Sequence, residues 1–257
     1  MGVVGRIVAV VNQKGGVGKT TVTLGLASAA QAGGQRVLVV DLDPQASTSW
    51  VLGVEPGEIA ESTAEILDGS SSGVVYESAW GDGVDLLPAS QRLQLQESGK
   101  GRSPERRLST ALESLAEEYD AVLIDCPPSL GNLTLNALTA AQHALIVVEP
   151  AALGLRGITA VADLIDDVWD SSNPSLDLTG VVVNKMPAVS AEAERRTEEL
   201  TRNVGKKAVW SPAIPQRVIV NQAIAERRSI HSYGYRAQDI SQAFDALWAK
   251  LRKRIKD

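Results

Sequence analysis

The sequence predicts an α/β fold with a doubly wound, mostly parallel sheet and helices on both faces. Short apolar runs rich in β-branched residues alternate with amphipathic stretches along the 257 residues, as expected for a series of βαβ units. The apolar runs lack polar alternation, which is typical of strands buried on both faces. A chain of this length with 44% hydrophobic residues can bury one large core, so we expect a single domain over residues 1–257.

The apolar runs predict the strands, which we place at residues 6–11, 36–41, 84–87, 121–125, 144–148 and 178–184. The stretches between them predict helices at residues 20–31, 105–118, 132–141, 158–169 and 193–203. A last amphipathic and basic helix is expected over residues 240–255. Residues 69–73 and 98–103 are predicted surface loops. In such a fold the binding residues lie at the carboxyl ends of the strands.

Composition excludes several classes of protein. The single cysteine, Cys126, cannot form an intrachain disulfide or hold an iron–sulfur cluster within one subunit; we expect it to serve packing. No apolar run approaches ~18 residues, and the N-terminus lacks a signal-peptide pattern. We therefore expect a cytoplasmic protein.

Charge is distributed unevenly along the chain. From Lys185 to the end there are 15 Lys and Arg against 8 Asp and Glu, whereas the preceding residues carry 10 against 23. A basic C-terminal quarter on an acidic body suggests a surface for a polyanion, either nucleic acid or anionic lipid. Solvated helix faces are the alternative.

A glycine-rich segment, residues 12–21, lies between a predicted strand and a predicted helix. Glycines there let backbone N–H groups converge on phosphate oxygens, and the start of the helix adds partial positive charge. Lys19 supplies a cation for the β/γ-phosphates and Thr20 a hydroxyl ligand for Mg²⁺. The pattern predicts ATP and Mg²⁺ as ligands, bound by Lys14, Gly15, Gly16, Val17, Gly18, Lys19, Thr20 and Thr21.

This loop departs from the ordinary phosphate loop at two positions. Gln13 stands where the first glycine is expected, and a second lysine, Lys14, follows it. The resulting pattern K-G-G-x-x-K-[ST] is the deviant Walker A form of P-loop NTPases, and with it the chain resembles the ParA-type partition ATPases of the ParA/MinD group. The loop begins at residue 12, which resembles their short form without an N-terminal DNA-binding extension. The resemblance implies an ATP-bound homodimer in which Lys14 acts catalytically on the partner's nucleotide.

Acidic residues end two predicted strands. Asp41 and Asp43 belong to a D-x-D-P-Q run that resembles the family's first switch, and phosphoryl transfer needs a group that positions the attacking water. The resemblance implies that Asp43 orients this water; Asp43 is also a candidate to hold Mg²⁺ through water. Asp41 either supports magnesium-bound water or caps the turn. Asp125 ends an apolar strand in the Walker B form and should hold Mg²⁺ through water.

The sequence also suggests contacts to the base. Asn184 ends a predicted strand, where its amide can read the adenine edge; a turn asparagine is the alternative. The resemblance marks residues 214–217 as a loop bordering the base, with Pro215 and Arg217 as contacts. The family often has Asn where this chain has Arg217.

The resemblance implies that the ATP-bound dimer binds double-stranded DNA without sequence specificity, in association with the nucleoid. A ParB-like partner would stimulate a hydrolysis that is slow alone and so release the DNA. Arg196 is the best single candidate for DNA contact in a set that comprises Arg195, Arg196, Arg227, Arg228, Lys250, Arg252 and Lys253. A MinD-like membrane ATPase, whose last helix inserts into lipid, is the main alternative, and a nucleotide-binding regulator without turnover is another.

Overall fold

The computed structural model describes residues 6–97, 104–150 and 154–256. Eight strands form one sheet, and they are β1 (Arg6–Val11), β2 (Val37–Asp41), β3 (Tyr76–Glu77), β4 (Val84–Leu87), β5 (Ala121–Asp125), β6 (His143–Val148), β7 (Asp177–Val183) and β8 (Val209–Trp210). Their order is β3-β4-β2-β5-β1-β6-β7-β8. Every pairing is parallel except that of β3 with β4. The predicted doubly wound, mostly parallel fold is confirmed.

The described residues form ten α-helices. They are α1 (Lys19–Ala32), α2 (Ser47–Val51), α3 (Thr63–Asp68), α4 (Leu93–Gln96), α5 (Arg107–Leu115), α6 (Asn132–Ala140), α7 (Gly154–Ser171), α8 (Ala191–Val204), α9 (Val218–Ala225) and α10 (Gln238–Lys256). Short 3₁₀ segments occur at Pro56–Glu58, Pro104–Arg106, Ala116–Glu118 and Ile230–Ala237.

The predicted elements are confirmed in outline, with some corrections. The helix predicted over residues 105–118 is α-helical only in α5, with a 3₁₀ turn at each end. The elements β3, β8, α2, α3, α4 and α9 were not predicted, because each has eight residues or fewer and shows little periodicity over so short a span. Residues 69–73 form the expected loop after α3. The loop predicted at residues 98–103 lies outside the described residues.

Apolar side chains fill both faces of the sheet. Along β1, Ile7 and Ala9 pack on one face, and Val8 and Val10 on the other. Such two-sided burial is why the strands read as continuous apolar runs. The sheet is therefore the middle layer of the fold, and functional side chains can reach solvent at its carboxyl edge.

The last helix, α10, packs against α1 through its apolar face. That face is buried, with relative exposures of 0–4%, and consists of Ile240, Phe244, Leu247, Leu251 and Ile255. Packing is close at Gly25, where an added Cβ would lie 2.2 Å from the ring of Phe244. His231 adds a polar link, since its ring lies 2.6 Å from the Ser28 hydroxyl and 3.1 Å from Asp245. None of the described helices is long and apolar enough to cross a bilayer.

Candidate active site

Three neighbouring strands bring the predicted site residues to one edge of the sheet. Strand β5 lies between β1 and β2, and Asp125 is in register with Val10 on one side and Asp41 on the other. The loop that follows β1 therefore lies beside the acids that end β2 and β5. The structure brings the phosphate loop and both acidic motifs together, as expected from the topology.

The phosphate loop uses glycine where the backbone demands it. Gly18, with φ of 92°, precedes the first residue of α1 in a left-handed conformation. A Cβ at this position would also lie 2.1 Å from the amide nitrogen of Asn184. Lys19 begins α1 and is 7% exposed. Burial lowers its pKa, while Asp125, Cys126 and Asp43 oppose that shift; the ammonium is thus held in a desolvated position suited to phosphate.

Asp125 has the arrangement expected of a magnesium-supporting acid. It is 1% exposed, and its Oδ2 accepts hydrogen bonds from the hydroxyls of Thr20 at 2.7 Å and Thr48 at 2.6 Å. Its Oδ1 is buried and lacks a hydrogen-bond partner among the described residues. Mg²⁺ keeps several of its waters and binds few carboxylates, and such a water could donate to Oδ1. The residues present therefore fit a hydrated Mg²⁺.

Thr48 is a site residue that the sequence analysis missed. It lies on α2, one turn beyond the D-x-D-P-Q run, and its side chain is fully buried. A threonine at this distance from an acid carries no spacing signal of its own. The next residue, Ser49, supports the other buried acid of the site. Its backbone N–H and its hydroxyl both donate to Asp41, at 2.8 and 2.7 Å.

The carboxylates at this edge disfavour one another's ionisation. Burial, together with the nearby Asp125, raises the pKa of Asp41 to about 7, although hydrogen bonds from Ser49 and Asp43 oppose the shift. Burial also raises the pKa of Asp125 to about 6, assisted by Asp43 and opposed by Thr48, Thr20 and Lys19. A divalent cation would relieve both penalties, because it favours the charged forms.

The two acids of the D-x-D run differ in their surroundings. Asp41 is fully buried and caps the turn, since its Oδ1 accepts the backbone N–H of Asp43 at 3.0 Å. Asp43 is partly exposed and accepts the backbone N–H of Gln45 at 2.9 Å. Of the two, Asp43 is the one that solvent water can reach. Its assignment to the attacking water stays a prediction.

Lys14 is nearly half exposed and is paired within its own subunit. Its Nζ lies 3.4 Å from Oε2 of Glu149, whose Oε1 lies 2.7 Å from Nζ of Lys185. Lys185 also donates to the carbonyl of Gly16 in the phosphate loop. Glu149 and Lys185 thus support the loop from β6 and β7, a role that the sequence analysis did not assign.

The predicted base contacts are brought to the same region. Asn184 is 2% exposed, and its amide donates to the carbonyl of Val17 at 2.9 Å. Pro215 lies beside Met186 in an isolated β-bridge. The guanidinium of Arg217 lies 2.7 Å from Asp239. Asn184 therefore ties β7 to the phosphate loop, while adenine contacts by these residues stay predictions.

Most predicted DNA contacts already have partners. Arg195 pairs with Glu192, and Arg196 pairs with both Glu192 and Glu199 at 2.8 Å. Cation–π contacts hold three further candidates, with Arg227 over Trp50, Arg228 over Tyr233 and Lys250 over Trp210. Lys253, by contrast, is exposed near the end of α10 beside Arg252.

A buried lysine at the start of α1 and a threonine hydroxyl bonded to the acid that ends β5 define a P-loop nucleotide-binding protein. Residues 5–178 match the AAA_31 family, described as an AAA domain. The chain is 34% identical to the chromosome partitioning protein ParA of Caulobacter vibrioides over 98% of this chain and 96% of that protein. It is 33% identical to the sporulation initiation inhibitor protein Soj of Bacillus subtilis, over 91% and 93% of the two chains. The chain therefore belongs to the ParA and Soj group of partitioning proteins within this AAA-domain family.

Solved structures support the fold. The cobyrinic acid a,c-diamide synthase of Mycobacterium smegmatis, with bound ATP analogue and magnesium, has a TM-score of 0.85 and 31% identity over 99% of this chain and 97% of that one. The cell division ATPase MinD of Pyrococcus furiosus has a TM-score of 0.77 and 26% identity over 97% and 99%. Both likenesses extend over nearly the whole chain, as expected for a shared fold.

Proposed function

We propose that this chain is a partition ATPase that binds ATP with Mg²⁺, closes into a homodimer and then binds double-stranded DNA without reading its sequence. The hydrogen bond from Thr20 to Asp125 carries the proposal, together with the second oxygen of Asp125, which has no hydrogen-bond partner among the described residues. It is the arrangement that a phosphate-bound metal requires. Similarity to ParA and Soj supports partitioning as the purpose of the cycle.

Each step of hydrolysis falls to a residue of the described site. Lys19 binds the β/γ-phosphate oxygens, and the backbone of the glycine loop surrounds them. Thr20 and Asp125 would hold Mg²⁺, which supplies charge neutralisation at the phosphate oxygens. Asp43 orients the attacking water, because it is the more exposed of the two acids in the D-x-D run. We expect the turnover to be slow without a ParB-like partner.

Dimer formation would exchange one partner of Lys14 for another. An exposed ion pair such as that with Glu149 contributes only ~0–1 kcal/mol. The phosphates of a second subunit's nucleotide carry more charge than one carboxylate, and they would bind Lys14 more strongly in a closed interface.

DNA binding is best supported at the end of α10. Among the described residues, exposed Lys253 has fewer carboxylate partners than Arg195 and Arg196 on α8, and Arg252 and Lys250 lie near it. Contacts to phosphate fix orientation without reading sequence. Two subunits would double this cationic surface, so DNA would favour the ATP-bound dimer. On this basis we place the protein in the cytoplasm, associated with the nucleoid.

The central test is electrophoretic DNA binding with ADP, ATP and a non-hydrolysable analogue, using two duplexes of unrelated sequence. We expect equal binding to both duplexes with ATP or the analogue, and little with ADP. Binding that ignores the nucleotide, or that prefers one duplex strongly, contradicts the proposal.

A membrane-positioning ATPase is the alternative that similarity to MinD raises. It would need a free apolar face on the last helix. The apolar face of α10 is instead buried against α1, which favours DNA over lipid. Sedimentation with anionic liposomes in the presence of ATP distinguishes the two, since the partition ATPase should stay in the supernatant.

A further inference from the structure

The short helix α2 contacts the acids of the site on one side and the end of α9 on the other. Thr48 donates to Asp125, as described, and the next-but-one residue, Trp50, is 38% exposed. The guanidinium of Arg227 lies over the Trp50 ring, 4.3 Å from its centroid. Arg227 and Asp125 are thus connected through three consecutive residues of one helix.

Arg227 is held at this contact by both its side chain and its backbone. Its guanidinium also pairs with Glu55, and its side chain is 27% exposed. The backbone is left-handed, with φ of 54°, and its carbonyl accepts a hydrogen bond from the indole N–H of Trp80 at 3.1 Å. An arginine fixed in this way is poorly placed to reach a DNA phosphate, since it would first have to leave Trp50 and Glu55.

The packing behind this contact is incomplete. A partly open apolar pocket of about 30 Å³ lies between α1, α2, α9 and α10, and its walls include Leu24, Val51, Ala223 and Phe244. A void removes dispersion contacts from the atoms that line it. The contacts of Arg227 with Trp50 and Glu55 therefore take a larger share in fixing the position of α2 against α9.

We propose that Arg227 is a positioning residue for the magnesium site, which acts through Trp50 and α2 to hold Thr48 on Asp125. It is not a phosphate contact to DNA. The inference rests on the proposed binding of ATP and Mg²⁺ by this chain, but it requires neither DNA nor turnover. Because coupling between two sites is reciprocal, Mg²⁺ binding would in turn stabilise the contact of Arg227 with Trp50 at the end of α9.

The test is the Mg²⁺ dependence of binding of a fluorescent ATP analogue, measured without DNA. Arg227→Gln should raise the Mg²⁺ concentration for half-maximal binding by roughly two- to tenfold. Thr48→Val, which removes the hydroxyl and keeps the shape, should raise it by about tenfold or more. Trp50→Leu should behave like Arg227→Gln, whereas Trp50→Phe, which keeps a ring under the guanidinium, should restore most of the affinity for Mg²⁺.

The matched control is Arg36→Gln. Arg36 also lies over an aromatic ring, that of Tyr119 at 5.0 Å, and also pairs with a carboxylate, that of Asp85 at 3.6 Å. It precedes β2 and so lies at the opposite edge of the sheet from the site. The Mg²⁺ dependence of Arg36→Gln should match the wild type, even where both variants lose similar thermal stability.

A double-mutant cycle tests the route. If Arg227 acts through Thr48, then Arg227→Gln should have little further effect in a Thr48→Val background. Multiplicative fold-changes would overturn the route through α2. Two results together would make Arg227 a phosphate contact and overturn the inference. They are an unchanged Mg²⁺ dependence in Arg227→Gln and a slope of log DNA affinity against log salt concentration that is shallower by ~2 than in the wild type.

Failure of the wider proposal gives a different result. If the wild-type protein does not bind the ATP analogue at any Mg²⁺ concentration, the proposed function fails. If the wild type binds with a clear Mg²⁺ dependence and Arg227→Gln equals Arg36→Gln, only the positioning role of Arg227 fails.

Discussion

The hydroxyl of Thr20 donates to Asp125 Oδ2 at 2.7 Å, which joins the phosphate loop to the end of β5. A hydroxyl that donates in this direction keeps its lone pairs available for a cation. The other oxygen of Asp125 has no hydrogen-bond partner among the described residues. Thr20 and Asp125, the residues predicted to support Mg²⁺, are therefore in direct contact, and the assignment can be tested residue by residue.

Lys19→Gln should weaken nucleotide binding strongly. The substitution keeps a hydrogen-bond donor but loses the buried charge that faces the β/γ-phosphates. A hydrogen bond to a charged group contributes about 1.5–3 kcal/mol, so ATP affinity should fall by roughly 10- to 100-fold or more. Calorimetric titration measures it directly. Turnover of ATP near the wild-type rate would mean that the site lies elsewhere.

Asp43→Ala should separate binding from chemistry. Loss of the group that orients water should lower kcat on the order of 100-fold or more, while ATP affinity changes little. The variant should accumulate as an ATP-bound dimer on a sizing column. Recovery of monomer alone, under conditions where the wild type dimerises, would count against the assignment of Asp43.

Lys14→Ala should leave a subunit that holds nucleotide but does not dimerise. Lys14 is exposed and contacts Glu149 here, whereas Lys19 is buried at the loop itself. Light scattering with ATP gives the oligomeric state, and titration gives the affinity. Should nucleotide affinity fall as far as in Lys19→Gln, Lys14 acts within its own subunit and the role across the dimer is wrong.

Asp125→Asn should be more stable than the wild type at high pH without metal. Burial raises the pKa of Asp125 from 3.8 to about 6. Its contribution to the free energy of unfolding is therefore complete below pH of about 4 and is lost as pH rises through about 6. The variant has no carboxyl to ionise and so avoids this loss. Its Tm at pH 8 should therefore exceed that of the wild type by roughly 2–6 °C, and the difference in Tm should be smaller at pH 5.

Saturating Mg²⁺ provides the internal control for Asp125→Asn. The metal should raise the Tm of the wild type at pH 8 and leave the variant nearly unchanged, because binding only to the folded state stabilises it. A variant with a lower Tm than the wild type at pH 8 without metal would show that the ionised Asp125 does not lower the free energy of unfolding.

Lys253→Ala should weaken DNA binding through its salt dependence. A dimer that neutralises ~4–6 phosphates has a log–log slope of roughly −4 to −5, and loss of one contact per subunit should make it shallower by ~2. Arg196→Ala should change the slope less, because Glu192 and Glu199 already offset its charge. Fluorescence anisotropy with a labelled duplex measures both.

Arg92→Ala serves as the control for the DNA measurement, since Arg92 pairs with Glu65 and Asp68 far along the chain from the basic quarter. A larger effect of Arg196→Ala than of Lys253→Ala would move the DNA surface from the end of α10 to α8.

The phosphate loop and the acids of the site could be predicted because their signals are local. Residues 12–21 combine glycines, lysine and threonine within one strand–loop–helix unit, where the spacing itself reflects phosphate geometry. Asp125 was found in a similar way, as an acid that ends an apolar strand. The weaker prediction was Asn184, which follows β7 as expected. Its amide donates to the carbonyl of Val17, and its contact with adenine stays a prediction.

Contacts between distant segments were decided by the tertiary structure. Thr48 meets Asp125 across 77 residues, Lys185 meets Gly16 across 169, and Arg227 meets Glu55 across 172. Such pairs depend on the order of strands in the sheet and on how each crossover packs, which no local pattern encodes. Local sequence patterns thus predicted the nucleotide site from the chain alone. Its supporting residues emerged only from the tertiary structure, because parallel strands bring their carboxyl ends to one edge of the sheet.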